Sequence, residues 1–82
     1  MDEINEQLLE AVKEVNYEKV EELLEGPGIR ANVNFQESQY GESALMIASQ
    51  IGLPYMIRIL LRNGADINLA NKSGNTALVY GA

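Results

Sequence analysis

The sequence predicts an all-α fold built from helix-turn-helix repeats that are joined by β-hairpin-like arms. Residues 40–68 contain two apolar segments with a spacing near 3.6 residues, and the intervening Gly52-Leu53-Pro54 is typical of a turn between helices. The pentapeptide GESAL at residues 41–45 also returns in a similar form as GNTAL at residues 74–78. Such a recurrence is typical of repeat proteins, whose units bury their apolar faces against each other.

We expect the first repeat to span about residues 1–36 and to consist of two short helices and an arm. Asp2 is a natural N-cap for the first helix, whose apolar residues fall at a spacing near 3.6: Ile4, Leu8, Ala11, Val12 and Val15. Asn16 can cap the second helix, whose predicted buried stripe is Val20, Leu23 and Leu24. Gly26-Pro27-Gly28 ends that helix, because Pro cannot continue a helix and Gly permits a positive φ.

The central repeat is predicted over about residues 37–70. Residues 29–40 lack helical periodicity and are rich in turn formers, so they should form an arm. Ser43 can cap an inner helix whose apolar residues are Leu45, Ile47, Ala48 and Ile51. Gly52 ends this helix and Pro54 starts an outer helix. We expect the outer helix to be buried on two sides, because more than half of its circumference is apolar: Met56, Ile57, Ile59, Leu60 and Leu61.

The third repeat is predicted over residues 71–82 and is partial. Residues 71–74, NKSG, suit a hairpin tip, and Thr76 can cap a third inner helix. No outer helix follows it in the sequence. We therefore expect an open apolar end, formed by Leu78, Tyr80 and the far side of Met56, Ile57 and Ile59.

These units resemble ankyrin repeats, and the resemblance covers nearly the whole chain. Residues 60–68, LLRNGADIN, are similar to the outer-helix ending L-L-x-x-G-A-D-V-N of the family. Residues 43–46, SALM, and residues 76–79, TALV, occupy the T-P-L-H slots, so Met46 and Val79 replace the histidine. Because that histidine ties neighbouring helices in the family, the resemblance implies apolar packing at Met46 and Val79 instead.

The resemblance implies a short ankyrin-repeat solenoid that binds a protein partner. Val15 stands where the family has a break glycine, so the first unit is similar to a terminal cap. In the family, arm tips and exposed positions of the inner helices line a concave binding surface. Mapped by pattern onto this chain, the surface comprises Gln36, Gln39, Tyr40, Glu42, Gln50, Ile51, Lys72, Ser73 and Asn75, and Lys13 and Glu14 would extend it.

Tyr40 is the strongest candidate for an interface anchor. An aromatic side chain beside the turn residue Gly41 supplies rigid contact area and a hydroxyl group. The alternative for Tyr40 is packing along its own arm. The alternative for Ile51 is that it completes the core between repeats.

Composition argues against several classes of function. The 82 residues contain no His and no Cys, and the acids lack the alternating spacing of a calcium loop. We therefore expect no enzyme activity, no metal and no cofactor. No apolar run approaches the roughly 20 residues that span a bilayer, so we expect no membrane-spanning segment.

The charge of the chain is concentrated in the first repeat. Residues 1–25 hold nine acids and two Lys, within a net charge of −6 for the whole chain. This charge repels nucleic acid and anionic membranes, so we expect no nucleic acid and no membrane as partner, and it favours a protein partner with a basic surface. The alternative explanation is the polar outer face that a terminal repeat needs.

We interpret the chain as a non-catalytic protein-protein interaction module, the N-terminal part of a longer ankyrin array. We expect a cytoplasmic location, with the nucleus as the alternative. A second hypothesis is self-assembly, in which another copy covers the open C-terminal end. A third hypothesis is a regulatory segment of a larger enzyme or channel.

Overall fold

The structure is a computed structural model that describes residues 3–81, and side chains as far as residue 79. The predicted cap at Asp2 and the predicted exposure of the Tyr80 side chain lie outside this description. The described residues form five helices: α1 (Glu3–Lys13), α2 (Tyr17–Glu25), α3 (Ala44–Ile51), α4 (Pro54–Arg62) and α5 (Ala77–Gly81).

One hairpin-like arm connects α2 to α3, and a second one connects α4 to α5. Arm 1 (residues 29–43) precedes α3 and is closed by an antiparallel bridge between Gln36 and Ser43. Arm 2 (residues 65–76) precedes α5 and is closed by a bridge between Ala70 and Thr76. The predicted all-α fold with β-hairpin-like arms is confirmed.

Predicted start and stop signals bound the helices. The Asn16 Oδ1 accepts the Lys19 N–H at 3.1 Å at the start of α2, and the Ser43 Oγ accepts the Met46 N–H at 3.3 Å at the start of α3. Both predicted N-caps are confirmed. Pro54 lies in the first turn of α4, where its missing N–H costs no helical hydrogen bond.

The helices form two layers with the apolar core between them. In the inner layer α3 lies between α1 and α5, while α2 packs on α1 and α4 packs on α3 in the outer layer. Met46 is buried in this core, so the apolar packing expected there is confirmed. Val79 is 61% exposed, so the same expectation is wrong for Val79. The largest fully buried side chains are Leu8, Val12, Val20, Met46, Met56, Ile59 and Leu60.

The two arms begin with the same local turn, and the side chain of Asn34 is one of the links between the repeats. Asn34 N–H donates to Asn32 Oδ1 at 2.9 Å, and Asn68 N–H donates to Asp66 Oδ1 at 2.8 Å. The side chain of Asn34 crosses to the next repeat, because its Oδ1 accepts the Asp66 N–H at 2.8 Å and its Nδ2 donates to the Gly64 carbonyl at 3.3 Å. These bonds link the first arm to the start of the second.

The predicted place of Val15 in the first helix is wrong. Helix α1 ends at Lys13, and Val15 has a φ of 57°, a left-handed conformation in which a β-branched residue is strained. Gly52 has a φ of 84° at the corresponding end of α3. Val15 therefore makes the turn that a glycine makes in the second repeat, and it does not belong to the buried stripe of α1.

The predicted burial of α4 also needs correction. Met56 and Ile59 are fully buried, so neither contributes to an open apolar end. Leu61 is 45% exposed, so α4 is not buried on two sides. The outward apolar stripe of α4 consists of the partly buried Ile57 and the exposed Leu61, because Met56, Ile59 and Leu60 turn toward the core.

Candidate protein-binding groove

An open groove lies where the end of α1, arm 1 and the end of α3 meet. Its volume is about 420 Å³. We call it the arm groove, and its lining residues are Lys13, Glu37, Gln39, Tyr40, Glu42, Ile47, Gln50 and Ile51. The structure thus brings together Gln39, Tyr40, Glu42, Gln50 and Ile51 from the surface predicted by pattern.

Glu37 organises the turn of arm 1. Its carboxylate accepts the backbone N–H groups of Tyr40 and Gly41, the latter at 2.7 Å. Burial opposes ionisation of this carboxyl, but the backbone N–H groups of the turn and the charge of Lys13 outweigh it, so the pKa of Glu37 is lowered. An ionised Glu37 holds the backbone that presents Tyr40.

Gly41 permits the close approach of the two arms. Its φ is 73°, and a Cβ atom there would lie 3.0 Å from the backbone nitrogen of Lys72. The Lys72 N–H donates to the Tyr40 carbonyl at 2.9 Å. A larger residue at position 41 would push arm 2 away from the groove.

Tyr40 projects from this turn with most of its side chain in solvent. It is 61% exposed, and the Gln39 Nε2 donates to its hydroxyl oxygen at 3.2 Å. The contact with Gln39 orients the ring without burying it. The role of Tyr40 as an anchor stays a prediction.

Glu42 connects three parts of the groove. One carboxylate oxygen accepts the side-chain amide of Gln50 at the end of α3, and the other accepts the Asn71 Nδ2 of arm 2 at 2.6 Å. Both donors are neutral amides, so they fix the position of the carboxylate without compensating its negative charge. Ile47 and Ile51 lie beside it, the first buried and the second 49% exposed.

The remaining predicted residues lie along the junction of the two arms. The Gln36 amide donates to the Gly41 carbonyl at 3.0 Å and to the Ala70 carbonyl at 2.8 Å, so its donor group ties the arms together. Lys72 Nζ donates to the Ser38 carbonyl. The backbone N–H groups of Ser73 and Asn75 donate to the side-chain oxygen of Asn71, at 2.9 and 3.0 Å.

Sequence reasoning missed Glu37 and Ile47 as groove residues. The repeat pattern contained a signal for Glu37, which lies one repeat before Asn71. The two residues have equivalent roles, since each side chain accepts backbone N–H groups of the turn in its own arm. Ile47 carried no such signal, since an apolar residue on an inner helix is expected in the core whether or not it also touches a groove.

Other surface features have a different chemical character. An acidic face on α1 is formed by Glu3, Glu6, Glu10 and Glu14. At the opposite end lies what we call the C-terminal apolar face: Leu45, Ser49, Ile57, Leu61, Ile67, Ala77 and Leu78. Within residues 3–81, no group of acids is placed to hold a metal ion, and no helix is long and apolar enough to cross a membrane.

Comparison with known proteins gives consistent matches. A family model described as ankyrin repeats (3 copies) matches residues 8–82. The chain is 40% identical over 80 residues to the 2-5A-dependent ribonuclease of Homo sapiens, an alignment that covers 98% of this chain and 10% of that protein.

Two viral proteins match a shorter part of the chain. An ankyrin repeat protein of Fowlpox virus (strain NVSL) is 39% identical over 51 residues, which is 62% of this chain and 27% of that protein. An ankyrin repeat protein of Acanthamoeba polyphaga mimivirus is 42% identical over 52 residues, which is 62% of this chain and 12% of that protein. The chain therefore spans only a minor part of the length of each of these relatives.

Proposed function

Because the chain belongs to the ankyrin-repeat family, we propose that it is a protein-protein interaction module without catalysis of its own, which binds a segment of a protein partner in the arm groove. The observation that carries this proposal is the position of Tyr40. Its ring is exposed, oriented by Gln39, and shares one groove with the half-exposed Ile51. An aromatic anchor beside an aliphatic patch is typical of residues that dominate binding energy.

The hydrogen bonds around the groove support a preformed binding surface. Glu37 fixes the turn that carries Tyr40, and Glu42 ties this turn to α3 and to arm 2. Groups that are already ordered lose less conformational entropy when a partner binds. We propose that Ser73 and Asn75 extend the surface at the tip of arm 2, and that Gln36 and Lys72 hold that tip beside the groove.

We also propose the repeat boundaries 1–36, 37–70 and 71–82, and a place at the N-terminal side of a longer ankyrin array. The exposed Leu61, Ile67 and Leu78 support this, because a further repeat would cover them as α3 covers α1. A regulatory segment of a larger enzyme or channel is one form of the same proposal. It is supported by the similarity to a protein that is named as a ribonuclease, of which this chain matches 10%.

Selection from a displayed peptide library tests the proposed groove. The wild-type chain should retain peptides that lose binding to the variant Tyr40→Ala and keep binding to Tyr55→Ala. Tyr55 is a matched control, because it is half exposed but lies on the outer helix α4 against the edge of Tyr17. Peptides that bind both variants equally would contradict the proposal.

Self-assembly is the second candidate function, and the C-terminal apolar face favours it. A second copy could cover Leu61 and Leu78 of the first, with two-fold pairing giving a dimer. Sedimentation equilibrium over a wide concentration range tests this. A dimer that Leu78→Ser abolishes supports self-assembly, whereas a monomer at every concentration contradicts it.

A further inference from the structure

We infer, on the basis of the proposed function, that the segment bound in the arm groove carries an arginine, whose guanidinium group pairs with Glu42 beside the Tyr40 ring, next to an aliphatic side chain that packs on Ile51.

The Glu42 carboxylate is held in place without an ion pair among the described residues. Gln50 and Asn71 hold its two oxygens, and both donors are neutral amides. Among the described residues the ion pairs join Lys19 to Glu22, and Arg62 to Glu21 and Glu25, so none of these ion pairs includes Glu42. Each carboxylate oxygen can accept more than one hydrogen bond. Glu42 therefore offers a charged acceptor with a fixed position.

The other side chains that line the arm groove are aromatic and aliphatic as well as polar. The exposed Tyr40 ring offers a π face, on which a guanidinium group is attracted and stacks. Ile51 and Ile47 give the same groove an aliphatic floor. A planar cation with an aliphatic stem complements this combination better than a neutral polar side chain does.

Lys13 is a cation of the groove lining, and its charge acts on Glu37, which is the other carboxylate of the groove. The net charge of the groove lining is −1, from Glu37 and Glu42 against Lys13. The lining therefore keeps an excess negative charge, which a cationic side chain of the partner would complement.

Two matched peptides test the inference. Acetyl-Leu-Arg-Leu-amide and its counterpart with citrulline, the neutral isostere of arginine, are each titrated into the ¹⁵N-labelled chain. The arginine peptide should shift the amide signals of Tyr40, Gly41 and Ile51, with an affinity about threefold or more above that of the citrulline peptide. Equal affinity of the two peptides, or no shift from the arginine peptide up to its solubility limit, would overturn the inference.

Variants identify the group that recognises the cation. Glu42→Gln should remove the preference for arginine, and Glu18→Gln, which changes the net charge equally from a position on α2, should leave it in place. Thermal unfolding checks that Glu42→Gln is folded. If it is not, Tyr40→Leu serves instead, because it keeps apolar area and removes the ring, and the preference for arginine should fall. A preference that survives these groove variants would overturn the inference.

The library selection separates this inference from the proposed function. Selected peptides that depend on Tyr40 but lack arginine would support the groove and refute the arginine. Selected peptides that do not depend on Tyr40 would refute the groove itself.

Discussion

The guanidinium group of Arg62 lies 2.8 Å from the carboxylate of Glu25, so the outer helices of consecutive repeats are joined by an ion pair. The Asn63 Nδ2 also donates to the same carboxylate oxygen, at 2.7 Å. This junction connects the end of α2 with the end of α4. It lies on the outer layer, away from the arm groove.

Acid should weaken this junction. The hydrogen bond from the Asn63 side chain, followed by the hydrogen bond and charge of Arg62, lowers the pKa of Glu25 below its ordinary value of 4.5. A carboxyl with a lowered pKa stabilises the fold above the pKa of the unfolded chain and loses that contribution as the pH falls through the folded value. The wild-type chain should therefore lose more stability than Glu25→Gln between about pH 7 and about pH 3.

Urea unfolding at several pH values measures this difference. The matched control is Glu18→Gln, an exposed carboxyl on the same helix that makes no ion pair with a described residue. Because Glu25 is well solvated, the difference should be small. Parallel pH profiles for the wild type and Glu25→Gln would refute the role of this ion pair.

Replacing Val15 by glycine should stabilise the chain. A left-handed conformation costs a non-glycine residue about 1–2 kcal/mol, and glycine removes this strain. Part of the stabilisation is lost again, because glycine makes the unfolded chain more flexible. The net effect should be a gain of under about 1 kcal/mol, because Val15 is only 37% exposed and the loss of its contacts offsets part of the relieved strain. The matched control is Val33→Gly, which should destabilise because Val33 has no positive φ to relieve.

The midpoint of urea unfolding measures the change in stability of Val15→Gly and of Val33→Gly. A destabilised Val15→Gly would mean that the contacts of Val15 outweigh its backbone strain.

Removal of the Asn34 side chain should weaken the contact between the first and second repeats and lower the free energy of unfolding. Asn34→Ala leaves the Asp66 N–H and the Gly64 carbonyl without their partner, which should cost about 1–2 kcal/mol. Asn68 is the matched control, because it occupies the same place in the next repeat. Its side chain makes no hydrogen bond with a described residue, so Asn68→Ala should be close to neutral. Equal losses in the two variants would show that the bridge does not contribute to stability.

Met46 and Val79 give a second matched pair, at equivalent positions of consecutive repeats. Met46→Ala should cost about 2–5 kcal/mol, because it leaves a cavity in the core. Val79→Ala should cost under about 0.5 kcal/mol, because Val79 is exposed. Calorimetric unfolding measures both. A large loss from Val79→Ala would mean that a contact covers this residue in solution.

The repeat pattern predicted the helices well because each boundary has a local cause. Ser43, Asn16 and Pro54 act within one turn of their own position, so residue type and spacing are sufficient to place them. The strained turn at Val15 was predicted less well. The Val15 side chain continues the 3.6-residue apolar spacing of α1, which favours a helix at this position. The turn is recognised only when Val15 is aligned with Gly52 of the next repeat.

The candidate groove could be predicted only in part. Tyr40 and Glu42 flank a turn glycine, which marks an arm tip in the sequence. The contacts of Glu42 with Gln50 and Asn71 depend on how the arms pack on α3, and no local pattern contains that information. The exposure of Leu61 was missed for the same reason, since it depends on what lies beside α4.

Binding of a protein segment in the arm groove can be observed residue by residue in an amide chemical-shift map of the ¹⁵N-labelled chain with a peptide from the library selection. We predict that the largest changes fall on residues of the arm groove, above all Gln39, Tyr40, Gln50 and Ile51. Changes concentrated on the acidic face of α1 or on the C-terminal apolar face, with the arm groove unaffected, would contradict the proposed binding.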